Sequence, residues 1–209
     1  MPDSIEQHQI TTLEQLKAIY GEPVGNSLVK ELDHVSDHYR TMIEASPFVV
    51  LATSGPEGLD CTPRGDPPGF VRVVDRNTLM LPDRRGNNRV DSLRNLVIDP
   101  RIALLFLIPG VGETLRVNGR AVISTDPALC RSFAMGDKLP RSVIVVTAER
   151  VYFQCPKALV RSRLWDPSRH VDRKSLPSSG QILAAIRPGE IDAEALDRAY
   201  PERLKQTIY

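Results

Sequence analysis

Residues 81–96 read LPDRRGNNRVDSLRNL and concentrate the side chains best suited to holding an anion. A strand-like run ends at Leu81 or Pro82. A tight polar loop then carries Arg84, Arg85, Gly86, Asn87 and Asn88. The pattern next turns helical, with Asn88 as the expected cap, Arg89 in the first turn, Asp91 at the third helical position and Ser92 one turn on. Free backbone N–H groups at a helix start point toward an anion, and the helix dipole favours it. Gly86 lets a ligand approach the backbone closely. Well-placed arginines add charge-assisted bonds of roughly 1.5–3 kcal/mol each. The segment reads as a phosphomonoester cradle or as a solvated arginine-rich turn, and spacing alone leaves both open. It is not a Walker sequence, because GxxxxGK(S/T) is absent.

Two more clusters can serve a ligand. In CTPRGDPPGF (61–70), Arg64 ends a strand before a loop stiffened by Pro67 and Pro68. Such a loop preorganises a site by lowering the entropy lost on binding. Arg64 either reaches a ligand or pairs with Asp66. In CPKALVRSRLW (155–165), Lys157 and Arg161 share a face if the run is helical. Trp165, the sole tryptophan, either stacks on a planar ligand or fills a half-buried place.

Other signals carry less. His34 and His38 are four apart, on one expected helical face, but no third metal ligand is indicated. No Ser/His/Asp arrangement stands out. Cys61, Cys130 and Cys155 form no CxxC pair and read as small hydrophobes, reduced in a cytoplasmic chain.

These residues need a scaffold. The chain has 209 residues, 41% hydrophobic and 25% charged, which suits one globular domain. No apolar run is long enough for a membrane helix, and no secretory signal is visible. The formal charge is only +1, against a nucleic-acid binder, yet 21 of the 27 basic residues are arginine. Residues 60–94 hold 7 arginines against 5 aspartates, so a local anion site in a neutral protein is expected.

Residues 12–45 read as helical, broken at Gly21, Pro23 and Gly25, with a second helix starting near Asp33. Seven strand-like runs follow: 48–54, 59–64, 70–74, 78–82, 101–109, 114–124 and 141–155. A four-residue turn, 55–58, joins the first two. A helix follows Asp126-Pro127, and a last one is expected over 192–205. The order is not a βαβ series, and a small antiparallel barrel with helices outside fits best.

At the level of motifs, the chain resembles the pyridoxamine 5'-phosphate oxidase-like, FMN-binding split-barrel proteins, and within them an uncharacterised bacterial branch. TPRGDPPGFVRV (62–73), LMLPDRRGNNRVDSLRNL (79–96), PGVGETLRVNGRA (109–121) and CPKALVRSRLW (155–165) carry the resemblance. It implies a mainly β fold: a six-stranded antiparallel Greek-key split barrel over 46–170, an N-terminal helical decoration over 1–45 and a helical tail over 171–209. It also implies a homodimer with FMN in clefts at the interface. Arg84, Asn87, Asn88, Arg89 and Ser92 are the implied phosphate ligands, with Arg64 as the strand-end arginine. Lys157, Arg161 and Trp165 are implied to close over the ring, from the same or the second subunit. The loop departs from that of the authentic oxidases, which puts pyridoxamine phosphate in doubt as substrate.

The expected function is an FMN-dependent oxidoreductase taking electrons from a reduced nicotinamide to a small acceptor. The flavin carries the electron chemistry, so no nucleophile is needed. The alternative is a non-catalytic module for FMN, the deazaflavin F420 or haem. Haem would want an axial ligand facing the pocket, and the four histidines lie outside the strand-like runs.

Overall fold

The structure is a computed structural model, and it describes residues 3–23 and 25–209. The chain forms two compact units, residues 1–31 and 32–209. The first holds α1 (Asp3–Gln7), α2 (Leu13–Tyr20) and α3 (Asn26–Val29). A capping box starts α2. Thr12 Oγ1 accepts from Gln15 N–H at 3.2 Å, and Gln15 Oε1 accepts from Thr12 N–H at 3.2 Å.

The second unit begins with α4 (Asp37–Ala45). It starts four residues later than the apolar spacing suggests, because Ser36 rather than Asp33 caps it, accepting from Tyr39 N–H. His34 therefore lies before the helix. Its Nδ1 is 2.7 Å from Asp33 Oδ1 and its Nε2 is 2.7 Å from Arg76 Nη2. His34 and His38 do not share a helical face.

The strands are β1 (Phe48–Gly55), β2 (Gly58–Gly65), β3 (Arg72–Val73), β4 (Thr78–Pro82), β5 (Arg101–Leu107), β6 (Thr114–Ser124) and β7 (Val143–Gln154). Gly55 pairs with Gly58, so the first hairpin turns on two residues, Pro56 and Glu57, rather than four. Between the strands lie α5 (Asp91–Ile98) and α6 (Pro127–Ser132). Asp126 caps α6, accepting from Ala128 and Leu129 N–H at 2.7 and 2.9 Å. The chain continues through α7 (Lys157–Ser162), two 3-10 turns, α8 (Ser179–Ile186) and α9 (Ala193–Thr207).

All seven strands join one antiparallel sheet in the order β2-β1-β5-β6-β7-β4-β3. The strand count read from the sequence holds. The six-stranded Greek-key split barrel does not: the sheet is open. Nor is the fold mainly β, since helices make up about as much of the chain as strands. Closure would need the outer edges, β2 and β3, to pair. The expected strand over 70–74 shrinks to Arg72–Val73. It is confined by the Pro67-Pro68-Gly69 loop on one side and, on the other, by a turn in which Asp75 accepts from Asn77 and Thr78 N–H at 2.8 Å each. On β2, Pro63 has no N–H to give.

One face of the sheet is buried at every second position. Val49, Leu51, Leu104, Phe106, Leu115, Val117 and Val146 are all fully inside. Tyr39 and Ile43 of α4 and Leu96 of α5 join the same core. On the other face, Val50, Ala52, Ala103, Leu105 and Leu107 are only half-buried. The β6–β7 register shifts at Asn118/Gly119. A Cβ on Gly119 would stand 2.0 Å from the Thr147 carbonyl oxygen, so only glycine fits there.

Candidate anion and cofactor site

The basic loop sits between β4 and α5, as its sequence suggests, but the helix starts later than expected. Val90, not Asn88, is the N-cap, and Asp91 is the first helical residue. Asn88 and Val90 both take left-handed backbone, at φ 59° and 52°. Asparagine tolerates that region, whereas a β-branched valine is strained in it. No side chain caps α5. The Asn88–Asp91 capping box does not form. Asn87 Oδ1 instead accepts from Arg89 N–H at 3.1 Å.

Beside this loop lies a cavity of about 550 Å³, within the roughly 300–1,000 Å³ typical of small-molecule sites. Arg64, Arg84, Arg85, Asn87 and Asn88 line it, joined by Lys138 and Arg141 from the α6–β7 connection. Its lining acids are Asp83 and Asp137, so five cationic side chains face two carboxylates. Three of the cations have carboxylate partners, Lys138 through an exposed pair with Asp137 at 3.3 Å. Arg64 Nη1 donates to Asp83 at 3.0 Å. Arg84 donates through Nε to Asp66 at 2.6 Å and through Nη1 to the Phe133 carbonyl at 2.7 Å. Arg85 meets no carboxylate among the described residues, and Arg141 has one long bond, 3.4 Å, to Asn88 Oδ1.

Ser92 is buried and does not line the cavity. Its hydroxyl donates to Asp60 at 2.6 Å, and Arg64 Nη2 approaches it at 3.5 Å. Ser92 thus steadies Arg64. Arg64 Nε is buried with no hydrogen-bond partner. Such a buried donor costs about 1–3 kcal/mol unless something accepts from it. Arg89 turns away to a neighbouring cavity of about 340 Å³ and donates to Asp91 at 2.8 Å.

A second cavity, of about 560 Å³, shares Arg64, Arg84, Arg85, Gly86 and Asn87 with the first. Pro63, Phe70, Pro82 and Ile208 give it an apolar wall. Tyr209 lines both cavities. Its hydroxyl donates to Asp66 Oδ1 at 2.7 Å, and its ring lies 5.9 Å from the Arg84 guanidinium carbon. That hydrogen bond to Asp66, with some burial, holds the phenol above its ordinary pKa of 10.

Lys157, Arg161 and Trp165 line neither cavity. Lys157 and Arg161 do lie one turn apart on α7, exposed. Trp165 is half-buried, and its indole N–H donates to the Val111 carbonyl at 2.7 Å. Sequence reasoning missed Lys138, Arg141 and Tyr209. The KLPR run (138–141) placed two cations around a proline and was a usable signal. Tyr209 offered none, since nothing local ties it to residue 66.

The donor set suits a phosphate-bearing, partly planar ligand such as FMN. An anionic oxygen would meet the cation surplus, and the adjoining apolar wall suits a ring.

Comparison with known proteins places the chain. The profile of the pyridoxamine 5'-phosphate oxidase family matches residues 35–155. The chain belongs to the pyridoxamine 5'-phosphate oxidase family. The match runs from α4 to just past β7 and so includes the basic loop and the whole sheet. Among solved structures, this family member is similar to HupZ from Group A Streptococcus, at 18% identity and a TM-score of 0.45 over 56% of this chain and 91% of that one. It is also similar to a Clostridium acetobutylicum protein related to general stress protein 26 of B. subtilis, of the pyridoxinephosphate oxidase family. There the identity is 17% and the TM-score 0.43, over 56% of this chain and 86% of that one. A third is an F420 reductase, at 18% and 0.41 over 57% and 98%. A search of curated proteins found no match.

Proposed function

We propose that this protein binds FMN and works as an oxidoreductase, passing electrons from a reduced nicotinamide to a small acceptor. The cavity with five cations against two carboxylates carries the reading, and membership of the pyridoxamine 5'-phosphate oxidase family supports it. Arg64, Arg85, Asn87, Asn88 and Arg141 would hold the phosphate, with Arg84 fixed behind them by Asp66. When bound, FMN supplies the hydride and electron chemistry, and the chain supplies placement and charge.

We further propose a homodimer. The half-buried apolar residues Val50, Leu105 and Leu107 fit a second copy of the same face, and Lys157, Arg161 and Trp165 then reach the partner's ring site rather than their own. A haem store would have Tyr209 as its one candidate axial ligand, since the lining residues of the main cavity include no histidine, cysteine or methionine, and that hydroxyl is engaged by Asp66.

The deciding experiment is the absorption spectrum of the purified protein, with mass analysis of what acid releases. FMN near one per chain is expected, followed by bleaching under anaerobic NADH or NADPH. Released F420 would keep the anion site and replace the cofactor. A colourless protein that takes up neither at micromolar concentration would refute the flavoprotein reading.

A further inference from the structure

We propose that Tyr209 is a positioning residue of the ligand site: its ring is the wall between the two cavities, and its hydroxyl, through Asp66, sets the Arg84 guanidinium. This rests on the flavin reading above and adds a residue that the tail of the chain contributes.

Tyr209 stands at the boundary of both cavities, together with Arg64, Arg84 and the Gly86-Asn87 turn. One side of that boundary carries the uncommitted cation Arg141, while Arg85, also uncommitted, lines both cavities. The other side carries Phe70, Pro82 and Ile208. A ligand with an anionic tail on the first side and a flat ring on the second must pass the phenol. A tyrosine ring offers a flat apolar surface for such stacking at little entropic cost.

The hydroxyl does separate work. The Asp66 side chain is 2% exposed, and its two oxygens are divided between Arg84 Nε and the Tyr209 hydroxyl. Arg84 is then locked further by the Phe133 carbonyl. Both oxygens of a buried carboxylate are satisfied only while the phenol stays in place. Without it, Asp66 is free to rotate and Arg84 loses its fixed direction. Asp66 holds the Tyr209 proton on, with Arg84 opposing, so the phenol remains a donor through the neutral range.

The two roles separate in two variants. Tyr209→Phe keeps the wall and removes the donor. Tyr209→Ala removes both. The measurement is the dissociation constant of FMN and of riboflavin by fluorescence quenching, with thermal shift by inorganic pyrophosphate on the same proteins. Riboflavin has the ring without the phosphate. Tyr209→Phe is expected to weaken FMN about tenfold while riboflavin stays at the wild-type value. Tyr209→Ala is expected to weaken both flavins. A merely structural role would move the two flavins together in Tyr209→Phe, and that result overturns the proposal, as does wild-type binding of both flavins by both variants. If wild-type protein binds neither flavin but is stabilised by pyrophosphate, the flavin reading fails. Loss of that stabilisation in Tyr209→Phe would then support the positioning role, and its persistence would overturn it. Wild-type protein with no response to either flavin or pyrophosphate overturns both readings.

Discussion

Arg84 and Arg89 look alike in the sequence and do different work. Arg84 satisfies a carboxylate with 2% exposure, whereas Arg89 is 75% exposed beside Asp91. Arg84→Ala leaves Asp66 buried with only Tyr209, so a loss of about 3–5 kcal/mol in urea unfolding is expected. Arg89→Ala should cost about 0–1 kcal/mol, as exposed pairs do. Equal losses in the two variants would show that Asp66 draws nothing from Arg84. Asp99 gives a pH test away from the site. Hydrogen bonds from the Arg101 side chain, with Nε at 2.9 Å, hold its carboxyl down from 3.8 to about 2. A depressed folded value means stability that is present above pH 3.8 and lost as pH falls toward 2. Arg101→Gln should return the Asp99 carboxyl toward 3.8 in an NMR titration and remove that part of the acid loss. The residue types of the site were legible because arginine, asparagine and glycine cluster locally. The orphaned Arg64 N–H and the Asp66–Tyr209 bond were not, because the first depends on how the folded chain encloses Arg64 and the second joins positions far apart in the chain.

At the scale of elements, the start of α5 decides where the loop points. The sequence offers Asn88 and Asp91 as a capping box, yet the helix begins at Asp91 behind a left-handed Val90. Valine there carries a backbone cost of roughly 1–2 kcal/mol. Its side chain is 42% exposed, so little packing offsets that cost. Val90→Asn should relieve it and raise Tm by about 2–4 °C. If the valine shapes the cavity wall, the same variant will weaken anion binding while it stabilises the fold. A fall in Tm would mean that valine packing outweighs the strain. Elements with strong local signals matched the sequence: the Asp126-Pro127 helix start, the apolar β5 and the long β7. Boundaries drifted where two caps competed, as with Ser36 and Asp33, or where proline and turn chemistry shortened a strand, as in β3.

At the scale of the molecule, hydrophobic periodicity counted the strands but could not say how they close. Whether a sheet is open or closed is set by its edge strands, and here a two-residue β3 and a proline in β2 leave both edges unpaired. The periodicity also hid the second face. Leu105, paired with Val50 in register, is apolar on the side that the helices of the core do not fill. If that face meets a second copy, Leu105→Glu should shift the protein from dimer to monomer in sedimentation while far-UV circular dichroism stays unchanged. A wild-type monomer at tens of micromolar would refute the dimer.

The Asp66–Tyr209 contact spans 143 positions of sequence, whereas every strand pairing is complete by residue 154. A chain emerging in order from the ribosome can therefore lay down its sheet and basic loop well before the last helix exists. During that interval Asp66 has Arg84 but lacks the phenol. A chain halted at α8 would carry a folded sheet with an unfinished pocket.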